Sequence, residues 1–173
     1  VLPTSAQKSL VLNVQQMAGN QPLEINTSYT TPADYQVNFT RLQYYISEIT
    51  LTHDGGNQTK LDGHYILANG LEDEQYDLGF LNVNEVEHIQ FYIGVDQFNN
   101  HADPSLWPQG HPLANQQPTM HWGWAAGYRF AAVEGNTGQG LFFTYQVHAL
   151  GDQHYGSVDI DVRSNLQNDV VHI

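Results

Sequence analysis

The stretch FTRLQYYISEITLTHDGG, residues 39–56, decides the fold. Its apolar side chains, Phe39, Leu42, Tyr44, Ile46, Ile49 and Leu51, recur in the period-2 manner of a half-buried strand. The pattern predicts one long strand broken by a bulge, and Asp54-Gly55-Gly56 ends it with the chemistry of a hairpin turn. Upstream, Leu10, Leu12 and Val14 share one face of a first strand, followed by turn residues at Gly19-Asn20 and Asn26-Thr27-Ser28. Downstream, Tyr65, Ile66 and Leu67 form a short strand, then an acidic loop carries Glu72, Asp73, Glu74 and Asp77. HIQFYIGV (88–95) resumes the alternation, with Ile89, Phe91, Ile93 and Val95 facing one way.

Near the C-terminus, GYRFAAVEG and GLFFTYQVHAL read as a hairpin closed by Gly135-Asn136-Thr137-Gly138. GSVDIDV adds a strand with Val158, Ile160 and Val162 on one face, and the final VVHI reads as the start of another. A sustained 3.6-residue apolar period is absent, and a short helix around Asn82 to Glu87 is the most that fits. Many short strands at regular spacing predict an all-β chain, a single antiparallel β-sandwich domain over residues 1–173 with long functional loops.

Composition narrows the function. A net charge of -13, from 5 basic against 18 acidic residues, argues against nucleic-acid or anionic-membrane partners. No apolar run approaches the roughly 20 residues that span a bilayer, so membrane insertion is not expected. There is no cysteine, which excludes disulfides, thiolate metal sites and cysteine nucleophiles. Charged residues are only 13% of the chain, so its polar surface is built from Asn, Gln, Thr and Ser, a habit of secreted and envelope proteins. The expectation is an exported chain, periplasmic or secreted to the cell surface, whose N-terminal segment is not a signal peptide.

The segment from Gly94 to Gly135 concentrates the chemistry, with three of the nine histidines and all three tryptophans. Asn99 to Thr119 within it reads as a long loop, and loops of that length are commonly functional. His101, His111, His121 and His148 could converge on a metal; without cysteine, an imidazole site suits copper or zinc. Their spacing matches no compact ligand motif, and each taken alone is as readily a surface residue. The remaining five (His53, His64, His88, His154 and His172) read as surface histidines. Trp122 and Trp124 alternate in MHWGW, which predicts a shared strand face packed in the core. Trp107 lies in the turn-rich LWPQGHP and either caps a ligand site or packs on the end of the sandwich. Calcium is the alternative ion, through Asp96, Asn99, Asn100, Asp103 and Glu134, which would suit an adhesion or carbohydrate-binding module with Trp107, Trp122 and Trp124 as its platform. A zinc-dependent hydrolase would need a third protein ligand and an open position. No GxSxG element or serine triad is present.

Several of these elements, in this order, resemble the MbnP-like copper-binding family, which includes copper-repressible proteins of methane-oxidising bacteria. The matching pieces are FTRLQYYISEITL, FYIGVD, NHADP, MHWGWAAGYRF with VEG, and VHALG, spanning Phe39 to Gly151. The resemblance implies an exported β-sandwich that binds one copper ion, Cu(I) or Cu(II), through two histidines. It further implies a nearby tryptophan oxidised to kynurenine by a di-haem peroxidase-type partner, with no turnover by this chain alone. Carried over residue by residue, His101 of NHADP and His148 of VHALG look like the ligand pair, and Trp107 looks like the tryptophan for oxidation. His111 is an alternative ligand, and His121 stands where the family more often has an aromatic residue. Asp103 or Asp152 could accept from the free ring nitrogens, and family members usually run on past VVHI.

Overall fold

A computed structural model describes residues 7–71 and 74–173. In chain order its strands are β1 (Lys8–Val14), the two-residue β2 (Met17–Ala18), β3 (Gln21–Pro22) and β4 (Tyr29–Thr30), then the long β5 (Gln36–His53). They continue with β6 (Asn57–Lys60), β7 (Tyr65–Asn69), β8 (Glu74–Leu81) and β9 (Val86–Ile93). A single-turn helix α1 (Gln97–Asn100) and a 3-10 turn (Pro104–Leu106) precede β10 (Arg129–Thr137) and β11 (Phe143–Leu150). The remaining strands are β12 (Gly156–Asp161), β13 (Asn165–Gln167) and β14 (Val170–His172).

The expected all-β sandwich is what forms. One sheet runs β13-β14-β1-β8, and the other runs β11-β10-β5-β9-β12, with β4, β6 and β7 adding to β5. Every pairing is antiparallel except β1 with β14. The period-2 reading of β5 holds, and so does its bulge. Its register against β9 shifts between Ser47 and Thr50, where Glu48 takes a φ of +53. The extra residue restores phase, so Ile46, Ile49 and Leu51 all reach the space between the sheets. There they meet Leu10, Leu12, Ile66, Leu78, Val86 and Ile89, each removed from water.

A second cluster packs on the opposite face of the larger sheet. Tyr45, next to Ile46 on β5, points away from the sandwich interior and is buried with Val95, Leu113, Met120, Tyr128, Phe130 and Ala132. β5 is therefore buried on both faces at its centre, and the long connection after β9 supplies the second cover. Gly94 begins that connection. Its φ is +121, and a Cβ there would fall 2.6 Å from the Phe130 ring, so glycine permits both the turn and the close packing. Val95 consequently leaves the face shared by Ile89, Phe91 and Ile93 and enters the second cluster.

Four expectations change. The β10–β11 hairpin forms, but Gly135, Asn136 and Thr137 are paired residues of β10, and the connection runs through residues 138–142 instead. Residues 82–85 form no helix but irregular backbone between β8 and β9; the one α-helix among the described residues is α1. Glu74 and Asp77 belong to β8 rather than to an acidic loop, and the Glu72 and Asp73 of that expectation lie outside the described residues. His53 is not a surface histidine: it is buried, with its ring nitrogens bonded to Asp54 and Thr59.

Ile49 is fully buried at the seam between the bulge and the inner face. Ile49→Ala is expected to cost about 2–5 kcal/mol, read as a lower urea midpoint at unchanged slope. A loss well under 1 kcal/mol would mean that the seam is not packed as described.

Candidate metal centre

Helix α1 is too short to stand alone, and its ends explain its position. Asp96 caps it, accepting from the Asn99 backbone N–H and from the Tyr65 hydroxyl. Asn100, fully buried at its last position, donates through Nδ2 to Asp152 Oδ1 at 2.7 Å and accepts the Tyr128 N–H at 2.7 Å. Gly127 makes room for it. A Cβ at Gly127 would lie 2.2 Å from Asn100 Oδ1, at a φ of +70. This clamp ties α1, the start of β10 and the turn after β11 into one unit.

His101 follows directly. Its Nδ1 lies 3.0 Å from the Trp124 carbonyl, which can only accept, so Nδ1 carries the proton. The neutral ring then keeps its lone pair on Nε2, which faces Asp152 Oδ2 at 3.4 Å. The Trp124 carbonyl, and then Asp152, raise the pKa of His101 above the ordinary histidine value. A lone pair and a carboxylate facing each other repel unless a proton or another cation lies between them.

His148 on β11 has the mirrored arrangement. Its Nε2 lies 2.9 Å from Glu134 Oε1, and the same oxygen accepts from Arg41 Nη1 at 2.9 Å. Burial alone would raise the Glu134 carboxyl, but the bonds from His148 and Arg41 outweigh it and hold it below its usual value. As Nε2 is the donor, the lone pair of His148 is on Nδ1, which makes no hydrogen bond to the described residues. The Trp122 ring lies 5.9 Å from the His148 ring and carries the Arg129 guanidinium 4.3 Å above its own centroid.

His111 and His121 differ. His111 Nδ1 accepts the Leu113 N–H at 3.1 Å, and His121 Nδ1 accepts the Gly123 N–H at 3.2 Å. Their lone pairs are thus committed to backbone, and burial lowers both pKa values. His111 stacks on Trp107 at 4.2 Å, with 9° between the rings. His121 sits edge-on to Tyr128 at 4.9 Å and to Trp124 at 6.5 Å, its Nε2 buried without a hydrogen-bond partner.

Trp107 is a packing residue of the second cluster, against His111 and the edge of Tyr65 at 6.3 Å. Trp122 and Trp124 correct the sequence reading. They are 55% and 64% exposed and lie on a turn, not on a core strand face. The turn is held by Gly127 N–H to the Gly123 carbonyl and Trp122 N–H to the Gly127 carbonyl. Two glycines four residues apart, both at positive φ, were the available sign of a turn.

The proposed calcium ligands are occupied singly. Asp96 caps α1, Asp103 caps the 3-10 turn through Ser105, and Glu134 holds Arg41 and His148. Among the described residues no three of His, Asp and Glu gather closely enough to hold an ion. Of the four candidate histidines, the two whose lone pair is free of backbone are His101 and His148, and paired imidazoles are a donor set that suits copper above other divalent first-row metals.

Comparison with known proteins adds the lineage. The family model described as MbnP matches residues 7–173. Among solved structures, MbnP from Methylosinus trichosporium is similar in fold, with a TM-score of 0.66 over 90% of this chain and 71% of that one, at 13% identity. No curated protein matches the sequence.

Asn100→Ala would leave Asp152 Oδ1 and the Tyr128 N–H without their partner. The expected loss is about 1–3 kcal/mol in chemical denaturation, the cost of buried polar groups left unpaired. No loss at all would show that the clamp does not hold α1 in place.

Proposed function

The chain belongs to the MbnP family, and on that footing we propose that it is an exported protein that binds copper for acquisition or handling, through His101 Nε2 and His148 Nδ1. The observation that carries this reading is the difference in hydrogen bonding among four histidines. His101 donates to the Trp124 carbonyl and His148 donates to Glu134, whereas His111 and His121 accept backbone N–H groups. Metal-binding histidines characteristically donate their other ring nitrogen to a carbonyl or carboxylate, which fixes the tautomer and raises the basicity of the ligating nitrogen.

The remaining features support binding rather than turnover by this chain alone. Two neutral imidazoles make a low-coordinate site suited to Cu(I). Asp152 beside His101 and Glu134 beside His148 put negative charge next to both rings, which favours a cation over a neutral guest. The net charge of -13 draws cations and a basic partner face towards the molecule.

The family resemblance also bears on tryptophan oxidation by a di-haem peroxidase-type partner. Geometry favours Trp122 over Trp107 as the indole involved. Trp122 is exposed and lies beside the His148 ring, while Trp107 is stacked on His111. An indole that an external oxidant must reach needs this exposure. Peptide mass mapping of protein from its native host is expected to place the kynurenine mass shift at Trp122.

Replacing His101 and His148 together with alanine is expected to abolish stoichiometric Cu(I) binding in competition with a chromophoric chelator. Replacing His111 and His121 together should leave one copper per chain. Full retention of copper by the first double variant would remove the ligand assignment.

A further inference from the structure

A row of polar side chains crosses three adjacent strands beside His148. Gln146 on β11 stands opposite Glu134 on β10, and Glu134 stands opposite Arg41 on β5. Glu134 Oε1 accepts from both His148 and Arg41, while Oε2 accepts from Gln146 Nε2 at 3.4 Å. Arg41 is buried and uses its whole fork. Its Nε donates to Gln43 Oε1 at 2.7 Å, and its Nη2 reaches the Thr119 carbonyl at 3.2 Å and Met120 Sδ at 3.1 Å. Thr119 and Met120 lead directly into the Trp122–Trp124 turn, whose Trp124 carbonyl orients His101.

A buried ion pair is weak evidence for stability, because apolar residues of similar volume would often serve as well. An apolar pair, however, could not accept the His148 N–H. A lysine at position 41 could not bond a carboxylate, a carbonyl and a sulfur from one planar group.

We propose that Glu134 and Arg41 are positioning residues for the metal pair: Glu134 sets His148 in the Nε2–H tautomer that leaves Nδ1 open, and Arg41 couples that carboxylate to the turn that orients His101. The proposal rests on the reading of His148 as a ligand. It gives two rings on separate elements, one after α1 and one on β11, a common support. One guanidinium is bonded both to the acceptor of the second ring and to the segment that holds the first.

The test reads the tautomer in metal-free protein. In protein labelled with 15N-histidine at mildly alkaline pH, long-range 1H–15N correlation spectra are expected to show His148 protonated at Nε2. Glu134→Gln can turn its amide NH2 towards the ring, so this variant should populate the Nδ1–H form. It should also bind Cu(I) about 10- to 100-fold more weakly in chelator competition, the usual range for loss of a residue that orients a ligand. An Nδ1–H tautomer in the wild-type protein overturns the proposal, whether or not the variant folds. So does a Glu134→Gln variant with unchanged tautomer and unchanged affinity. His148→Ala separates the two levels: copper binding retained there removes the ligand reading, while the tautomer spectra still decide whether Glu134 sets the ring.

Discussion

Burial of β5 on both faces is the constraint on which the rest of the molecule depends. A half-buried strand needs one apolar face, and Ile46, Ile49 and Leu51 provide it against the small sheet. At its centre the other face also carries a large apolar side chain, Tyr45, which must be covered. The connection between β9 and β10 covers it with Val95, Leu113, Met120 and Tyr128. The Tyr45 and Tyr128 hydroxyls donate to the carbonyls of Pro112 and Leu113, so the phenols that anchor the cover also satisfy its backbone. A long loop thereby becomes a packed layer. Each histidine it carries has a ring nitrogen hydrogen-bonded to backbone.

Electrostatics then differentiate residues that look alike. Four histidines in or near one layer share a side chain but not a neighbour. A carbonyl or carboxylate opposite one ring nitrogen makes that nitrogen the donor, and a backbone N–H opposite makes it the acceptor. His101 and His148 fall in the first class, and His111 and His121 fall in the second. Desolvation reinforces the division, because it lowers the pKa of His111 and His121 while partners raise that of His101.

Much of this architecture was legible in the residues. The period-2 run of β5, its bulge near Ser47, the β10–β11 hairpin and the apolar face of β12 all follow from side-chain alternation, a local property. The second layer was not legible. Leu113 and Met120 belong to no periodic pattern, Val95 continues the alternation of β9 only in sequence, and the burial of all three depends on Tyr45, more than 40 residues away along the chain. Trp122 and Trp124 misled for the same reason. Alternation in MHWGW resembles a strand, but Gly123 and Gly127 close it into a turn that leaves both indoles exposed. Family resemblance is what proposes His101 and His148 as a pair, whereas Arg41 and the Asn100 clamp depend on three-dimensional register that no short motif announces.

The most direct measurement is a crystal structure of the copper-loaded protein with anomalous data collected at the copper edge. A single anomalous peak in contact with His101 Nε2 and His148 Nδ1, with Trp122 beside it and Glu134 still on His148 Nε2, is the predicted result. A peak on His111 or His121, or copper scattered over surface carboxylates, would contradict the account.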